Sequence, residues 1–424
     1  MEKILLFSIL FWLFSCASFG QSKSGIIGET NFAGMLYKIK NNSGATAGGC
    51  PNAAKLDSFF NALSEANQGM GSIAISKNGK LLYNRTIGYE QMNDQKKDTA
   101  TGKTKYRIGS VTKMFTAVII FQMIEDGKLS LQTTIKNYLP NVPNSHIITI
   151  EDLLSHRTGL GRIPLKKFGR SPKTHKEMLS IINRKKPKSL PGLKFDYNNI
   201  NYLLLGYIIE EISGKSYQSV VNERIISKIN LKDVYCGDKT SIENNECYSY
   251  RFNKIWKQCV ETDMSIPGAS GNILASSAGL TQFIDALFSG KLICKTSLLQ
   301  MEPIVNGYGM GMMQFPYHTK NALGHSGAID GFKSIVAYLP KDSVSIAYSS
   351  NGVRYPIQNI IMSAFDIYFD KAPPVSKMKF ETLKTKLLHK YTGVYINREI
   401  PSEIVVSEKE KALIVKWQQF TELP

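Results

Sequence analysis

The sequence predicts an α+β fold: an antiparallel sheet flanked by helices, a helical lobe beside it, and a small all-β appendage at the C-terminal end. Three observations carry this expectation. Two strand-like segments lie early, at residues 72–76 and 80–84, joined through the hairpin pair Asn78-Gly79. Two more lie late, at residues 334–339 and 344–348. The stretch between them has mostly helical patterning. Strands at both ends of a domain, with helices between, close one sheet from distant parts of the chain and gather the helices at its side. The 424 residues are 43% hydrophobic and 20% charged, a globular composition long enough for a large core without disulfides.

In chain order, residues 1–20 read as an export signal. Lys3 is followed by an apolar run to Phe14 and small residues up to Gly20. The run is too short to favour a membrane span. Cleavage after Gly20 gives a soluble protein starting at Gln21. The alternative is a lipoprotein signal, Leu13-Phe14-Ser15-Cys16, with lipid on Cys16 anchoring the chain to the membrane. Either way the protein is expected outside the cytoplasm, periplasmic or secreted. Residues 21–51, polar and glycine-rich, read as a flexible lead-in. A main domain is expected over 52–371. It opens with an amphipathic helix at 55–66, where Leu56, Phe59, Phe60 and Leu63 share one face. Residues 372–424 begin with a linker at Pro373-Pro374. Strand-like alternation follows at 391–395, 402–406 and 412–417, fewer strands than a barrel or sandwich usually needs.

Cysteine usage and charge set limits on function. Cys16, Cys50, Cys236, Cys247, Cys259 and Cys294 leave an odd number once Cys16 is removed or lipidated, so at least one thiol is unpaired. Export permits disulfides, but the sequence does not give their connectivity. No Cys-x-x-Cys or His-Glu-x-x-His occurs, so no metal site is expected, and the chemistry below needs no cofactor. The formal net charge is +18, with clusters such as Lys185-Lys186-Pro187-Lys188. A solvated basic surface accounts for it most simply. A partner that is anionic envelope material is the functional alternative, and nucleic acid is not expected, since no nucleic-acid motif is present.

The residues that carry chemistry begin at Ser110-Val111-Thr112-Lys113. A serine and a lysine three apart share one helix face, one turn apart. A desolvated lysine amine can activate the otherwise weak serine nucleophile. The run after it, Met114 to Ile124, is apolar nearly all round and so reads as a buried helix with Ser110 at its N-terminus. Ser376/Lys379 matches the same spacing but follows the double proline and is set aside. Tyr197 and Asn199 form a Tyr-x-Asn pair ahead of a helical run at 200–212. A phenol there can pass a proton between nucleophile and leaving group, and an amide can hold a substrate carbonyl. An ordinary asparagine-rich turn is the plain alternative. Gly324-His325-Ser326-Gly327-Ala328 comes third, a strand edge of small residues that lets a substrate approach the backbone. The N–H groups of Ser110 and Ala328 are then candidates for an oxyanion hole.

Taken together and in this order, the three motifs resemble the class C β-lactamase and penicillin-binding-protein-like serine hydrolase family. The family also includes D,D-peptidases, D-aminopeptidases and esterases. Residues 149–160, Pro267-Gly268-Ala269-Ser270-Gly271, residues 276–280 and Tyr308-Gly309-Met310-Gly311 match as well, so the resemblance runs from about Leu56 to Asp370. It implies a serine β-lactamase/D,D-peptidase-like fold with a cleft between sheet and helical lobe. It implies Ser110 as the acylated nucleophile, Lys113 as its activator and Tyr197 as proton relay. Asn199 would hold the substrate amide, with His325 and Gly327 in the third motif; His156 would be structural.

One departure matters. Class C β-lactamases carry lysine where this chain has His325, which is mostly neutral near pH 7. The peptidase and esterase branches are the better match. The expected function is an exported serine hydrolase acting through an acyl-enzyme on an amide or ester, such as a D-amino-acid peptide, with a small molecule, a peptide or peptidoglycan fragments as its partner. A true β-lactamase is the first alternative. A catalytically idle protein that binds penicillin or wall material is the second, though an idle site would not need Ser110, Lys113, Tyr197 and Asn199 all intact.

Overall fold

The early amphipathic segment forms α1 (Ala53–Glu65), which buries Leu56, Phe59, Phe60 and Leu63, the apolar face its spacing predicts. A hairpin follows, β1 (Gly69–Lys77) and β2 (Lys80–Ile87), turned at Asn78 and Gly79, both with positive φ. The structure, a computed structural model, describes residues 49–93, 96–164, 171–302, 304–371, 389, 391–397, 402–409 and 412–419. The expected export segment, residues 21–48 of the expected lead-in, and the Ser376/Lys379 match lie outside these residues.

After the short strands β3 (Tyr89–Met92), β4 (Lys97–Thr99) and β5 (Tyr106–Arg107), the chain enters the lobe through α2 (Thr112–Glu125). Every residue of α2 from Thr112 to Met123 is buried. The lobe continues with α3 (Ile150–Leu154), α4 (His175–Asn183), α5 (Asn199–Ser213) and α6 (Tyr217–Val221). Its ends follow local rules. Thr149 and Thr174 cap α3 and α4 in reciprocal boxes with Asp152 and Glu177, and Gly214 closes α5 at φ 64°. The chain returns through β6 (Val234–Cys236), the hairpin β7 (Tyr250–Asn253) and β8 (Ile255–Gln258), β9 (Ile273–Ala275), α7 (Ser277–Phe288) and α8 (Lys295–Met301).

Four strands then complete the main sheet: β10 (Met313–Tyr317), β11 (Lys320–Ile329), β12 (Phe332–Leu339) and β13 (Val344–Val353), followed by α9 (Ile357–Tyr368). The spatial order is β10-β11-β12-β13-β1-β2, antiparallel throughout, with β1 of the early hairpin paired to β13. Strand parity sets the two faces. Ile73 lies opposite Tyr348, and the Tyr348 ring packs on Phe60 of α1. Ser76 lies opposite Ser345 on the other face, where both approach Asp285 of α7. Ser334 of β12 shares that second face, so the turn that it bonds, described below, stands on the α7 side.

The chain divides into two units, residues 42–372 and residues 373–424 with 1–41. In the second, β14 (Gly393–Asn397), β15 (Ser402–Lys409) and β16 (Ala412–Gln419) form an antiparallel three-stranded sheet. Cys50, Cys236, Cys247, Cys259 and Cys294 are free thiols, so the disulfides that export would permit are not formed among the described residues.

Asp285 is 6% exposed, and neither carboxylate oxygen has a hydrogen bond of full geometry. Burial pushes its acid up to about 6, against the opposing pull of the Ser345 and Ser76 hydroxyls. A carboxyl raised in the folded state binds its proton more tightly there, so folding loses stability as pH rises from about 4 to 6. Asp285→Asn is therefore expected to raise Tm at pH 8 by the equivalent of about 1–3 kcal/mol and to leave it nearly unchanged at pH 4. Thermal melts of both proteins across that range check it.

Candidate active site

Ser110 is placed by two close approaches. β5 pairs with β9 and leads straight into Gly109, whose φ is 52°. A side chain on Gly109 would come within 2.8 Å of the Ala328 nitrogen. On the opposing strand β11, a side chain on Gly327 would lie 2.0 Å from the Ile108 carbonyl and 2.9 Å from the Ser110 nitrogen. Only glycine fits either position, and the pair lets the turn lie flat on the strand. Ser334 pins the same turn by donating its hydroxyl to the Ile108 carbonyl at 2.7 Å. Gly109–Val111 is one turn of 3₁₀ helix ahead of α2. Ser110 thus stands just before the α-helix that the sequence reading had it open. The left-handed Gly109 tightens this first turn.

Lys113 on α2 is fully buried. Its Nζ lies 3.0 Å from Ser110 Oγ, 2.8 Å from Asn199 Oδ1 and 2.8 Å from the Ser270 carbonyl. No carboxylate is among these partners, and burial drives its ammonium pKa well below the usual lysine range. A neutral amine has two N–H groups and one lone pair. Asn199 Oδ1 and the Ser270 carbonyl can only accept, so they take the two N–H groups. The lone pair is left for the Ser110 hydroxyl to donate into.

Tyr197 and Asn199 come from the start of α5. Asn198 caps that helix by accepting from the Ile200 N–H at 3.2 Å and ties back to the Leu160 carbonyl at 3.0 Å. The cap sets Tyr197 one residue outside the helix and Asn199 on its first position. The Tyr197 hydroxyl is hydrogen-bonded to Ser110; burial pushes the phenol above its ordinary value and that bond opposes the rise. The Lys113 amine sits 5.1 Å from the Tyr197 ring centre. With Asn199 Oδ1 occupied by Lys113, its NH₂ is left as the donor end of the amide.

His325 is fully buried. Its Nδ1 is 2.5 Å from the Ser326 carbonyl, so it donates there, and Nε2 accepts from the Tyr308 hydroxyl at 3.2 Å. Burial, with Lys113 nearby, pushes its pKa down to about 3. The third motif therefore presents no charge at its first position, and the imidazole has no free nitrogen.

Two features were not assigned a part in the site by the sequence reading. His156, read as structural, is fully buried with its ring 4.3 Å from that of Tyr197. Its Nδ1 accepts from the Asn198 N–H at 3.2 Å, and its carbonyl accepts from the Asp196 N–H at 2.9 Å, so it grips the Tyr197 segment from both sides. Its backbone is left-handed, φ 59°, a conformation that costs energy and that the surrounding contacts hold. Arg107, three residues before Ser110, is 2% exposed. It donates to the Thr262 carbonyl at 2.8 Å and to Glu261 at 2.9 Å, and lies 3.5 Å from Asp330, two residues beyond Ala328. Asp330 in turn accepts from the Thr262 N–H and hydroxyl. This clamp ties the nucleophile turn to the end of β11, the two segments that carry the Ser110 and Ala328 N–H groups. Adjacency to Ser110 was its only signal in the sequence.

Loosening that clamp is expected to slow covalent labelling of Ser110. Asp330→Asn and Arg107→Lys should each lower the first-order rate with a fluorophosphonate by about 10- to 100-fold per folded molecule, measured with a Tm control. A rate equal to wild type would refute the role. His325 is expected to stay neutral above pH 4. An inflection in a pH–rate profile near 6.5 that disappears in His325→Gln would show that it titrates.

Comparisons with known proteins bear on the family and the fold. The Beta-lactamase family model matches residues 56–358. The chain is 26% identical over 287 residues to the putative penicillin-binding protein PbpX of Bacillus subtilis (strain 168), spanning 66% of this chain and 70% of that protein. It is 25% identical over 297 residues to protein flp of Staphylococcus aureus (strain MW2), spanning 66% of this chain but only 59% of the relative. Among solved structures, D-amino acid amidase from Ochrobactrum anthropi SV3, complexed with L-phenylalanine, superposes with a TM-score of 0.65 at 22% identity, over 76% of this chain and 96% of that one. At that identity the likeness shows the α+β fold alone. The family match covers most of the described main unit, and the chain belongs to the Beta-lactamase family, whose members are typically serine hydrolases.

Proposed function

We propose that this protein is a serine hydrolase that forms an acyl-enzyme on Ser110 and hydrolyses an amide or ester of a D-amino-acid peptide or similar compound. The observation that carries the proposal is the buried Lys113 amine, with both N–H groups engaged and its lone pair on the Ser110 hydroxyl. In the first step the Ser110 proton passes to Lys113 as Oγ bonds to the substrate carbonyl carbon. The resulting oxyanion is held by the N–H groups of Ser110 and Ala328. The Tyr197 hydroxyl donates its proton to the leaving nitrogen or oxygen as that bond breaks, and regains one from Lys113. Water then attacks the acyl-enzyme along the reverse path and frees Ser110.

Three observations bear on the substrate class. The neutral His325 offers no fixed cation for the carboxylate that a β-lactam carries, which favours peptidase or esterase chemistry over β-lactamase chemistry. The likeness to D-amino acid amidase is in the same direction. An export signal at residues 1–20 would place the enzyme where D-amino-acid peptides of the wall occur.

Intact-mass measurement after incubation with a fluorophosphonate is expected to show one adduct on the wild type and none on Ser110→Ala. An adduct retained in that variant would overturn the nucleophile. Lys113→Ala is expected to lower the labelling rate at least 100-fold; a near-normal rate would remove Lys113 from the role. Turnover of a chromogenic cephalosporin, with the D-amino-acid anilide and ester left intact, would make the protein a β-lactamase instead.

A further inference from the structure

We infer that the turn Leu190-Pro191-Gly192-Leu193 is an interfacial anchor that seats this protein on an anionic phospholipid bilayer, on the strap that leads into Tyr197. Leu190 is 60% exposed and Leu193 is 73% exposed, two large apolar side chains on one four-residue turn. They do not lie outward for want of order. Lys188 N–H donates to the Gly159 carbonyl at 2.7 Å, Gly192 N–H to the Arg157 carbonyl at 2.9 Å, and Asp196 N–H to the His156 carbonyl at 2.9 Å. These bonds pin the strap on both sides of the turn, so the leucines are held away from the core.

Exposed cations cluster near them in the chain and on the strap. Arg162, Arg184, Lys185, Lys186, Lys188 and Lys194 are all exposed. The acidic groups beside them are few. Asp196 is already paired with both Arg162 and Lys188, and Asp152, beneath Gly192, is taken up by the Thr149 cap. With Arg162 and Lys188 taken up by Asp196, Arg184, Lys185, Lys186 and Lys194 have no carboxylate partner among the described residues, which leaves a positive excess near the turn.

The combination selects the occupant. A soluble polyanion would be held by the cations alone and would gain nothing from exposed leucines. A neutral apolar partner would gain nothing from the lysines. An anionic bilayer uses both, because basic side chains meet the headgroups while apolar side chains enter the boundary beneath them. Long lysine stems lie along such a boundary with their amines in water. The strap runs from this turn through Phe195 and Asp196 directly into Tyr197, so docking would hold the cleft close to the headgroup layer. The inference does not depend on the chemistry proposed for Ser110.

The test is co-sedimentation of the purified protein with extruded vesicles, either phosphatidylglycerol with phosphatidylcholine or phosphatidylcholine alone. The wild type is expected to bind the anionic vesicles at least tenfold more tightly. The double variant Leu190→Ser/Leu193→Ser is expected to lose at least tenfold on the anionic vesicles while keeping its retention on heparin and its Tm. Ile255→Ser removes a comparably exposed side chain from the β7–β8 hairpin and is expected to bind as the wild type does. Unchanged binding by the leucine variant, an equal loss in Ile255→Ser, or no preference for anionic vesicles would each overturn the anchor. Retention on heparin with no vesicle binding would overturn it in favour of a polyanion-binding face.

Discussion

The burial of one amine inside one helix is the constraint on which the rest of the site depends. α2 is buried from Thr112 to Met123, so Lys113 is shielded from solvent, and no carboxylate is among its hydrogen-bond partners in the described residues. An uncompensated buried charge is expensive, so burial favours the neutral amine. The same burial gives Lys113 the lowered ammonium pKa that its proposed role as a base needs. Asn199 and the Ser270 carbonyl take its N–H groups, and they aim its lone pair at Ser110. Changes in the packing around α2 would therefore act on the chemistry proposed for Ser110 as well as on stability.

The second constraint is backbone contact. The nucleophile turn and strand β11 touch without side chains between them, because Gly109 and Gly327 meet there. Backbone from segments more than 200 residues apart in sequence is brought into contact there, as the proposed oxyanion hole would require. Pre-organised donors of this kind are the largest single contribution in many acyl-transfer enzymes. The Arg107–Asp330 clamp and the Ser334 bond to Ile108 hold the contact from both flanks. They hold a small-residue strand edge and a left-handed glycine turn in one geometry.

The electrostatics near the nucleophile are consistent with these constraints. His156 and His325 are both buried and both held well below the usual imidazole range. Each has a position set by hydrogen bonds, and neither adds charge beside Lys113. Their rings, with those of Tyr197 and Tyr308, make an aromatic wall on one side of the amine. A charged imidazolium in that place would repel a protonated Lys113 and lower its basicity further. Neutral rings leave the lysine's burial as the dominant influence on it.

By itself the sequence determined the α+β class, the register of the amphipathic α1, the early hairpin and its return to the late strands, and the three motifs in order. Each of these is written in periodicity, turn chemistry or spacing, which are local properties of the chain. The role of His325 as a neutral, doubly bonded group was only half legible: its type was visible, its burial was not. His156 and Arg107 were in plain sight as residues but not as partners of Tyr197 and Asp330, because those contacts join segments tens to hundreds of positions apart. The desolvation of Lys113 was likewise settled only when α2 was enclosed by the lobe. Local pattern fixes which side chains exist on which face, whereas burial and long-range contact decide their protonation and their partners, and those two quantities exist only once the chain has folded.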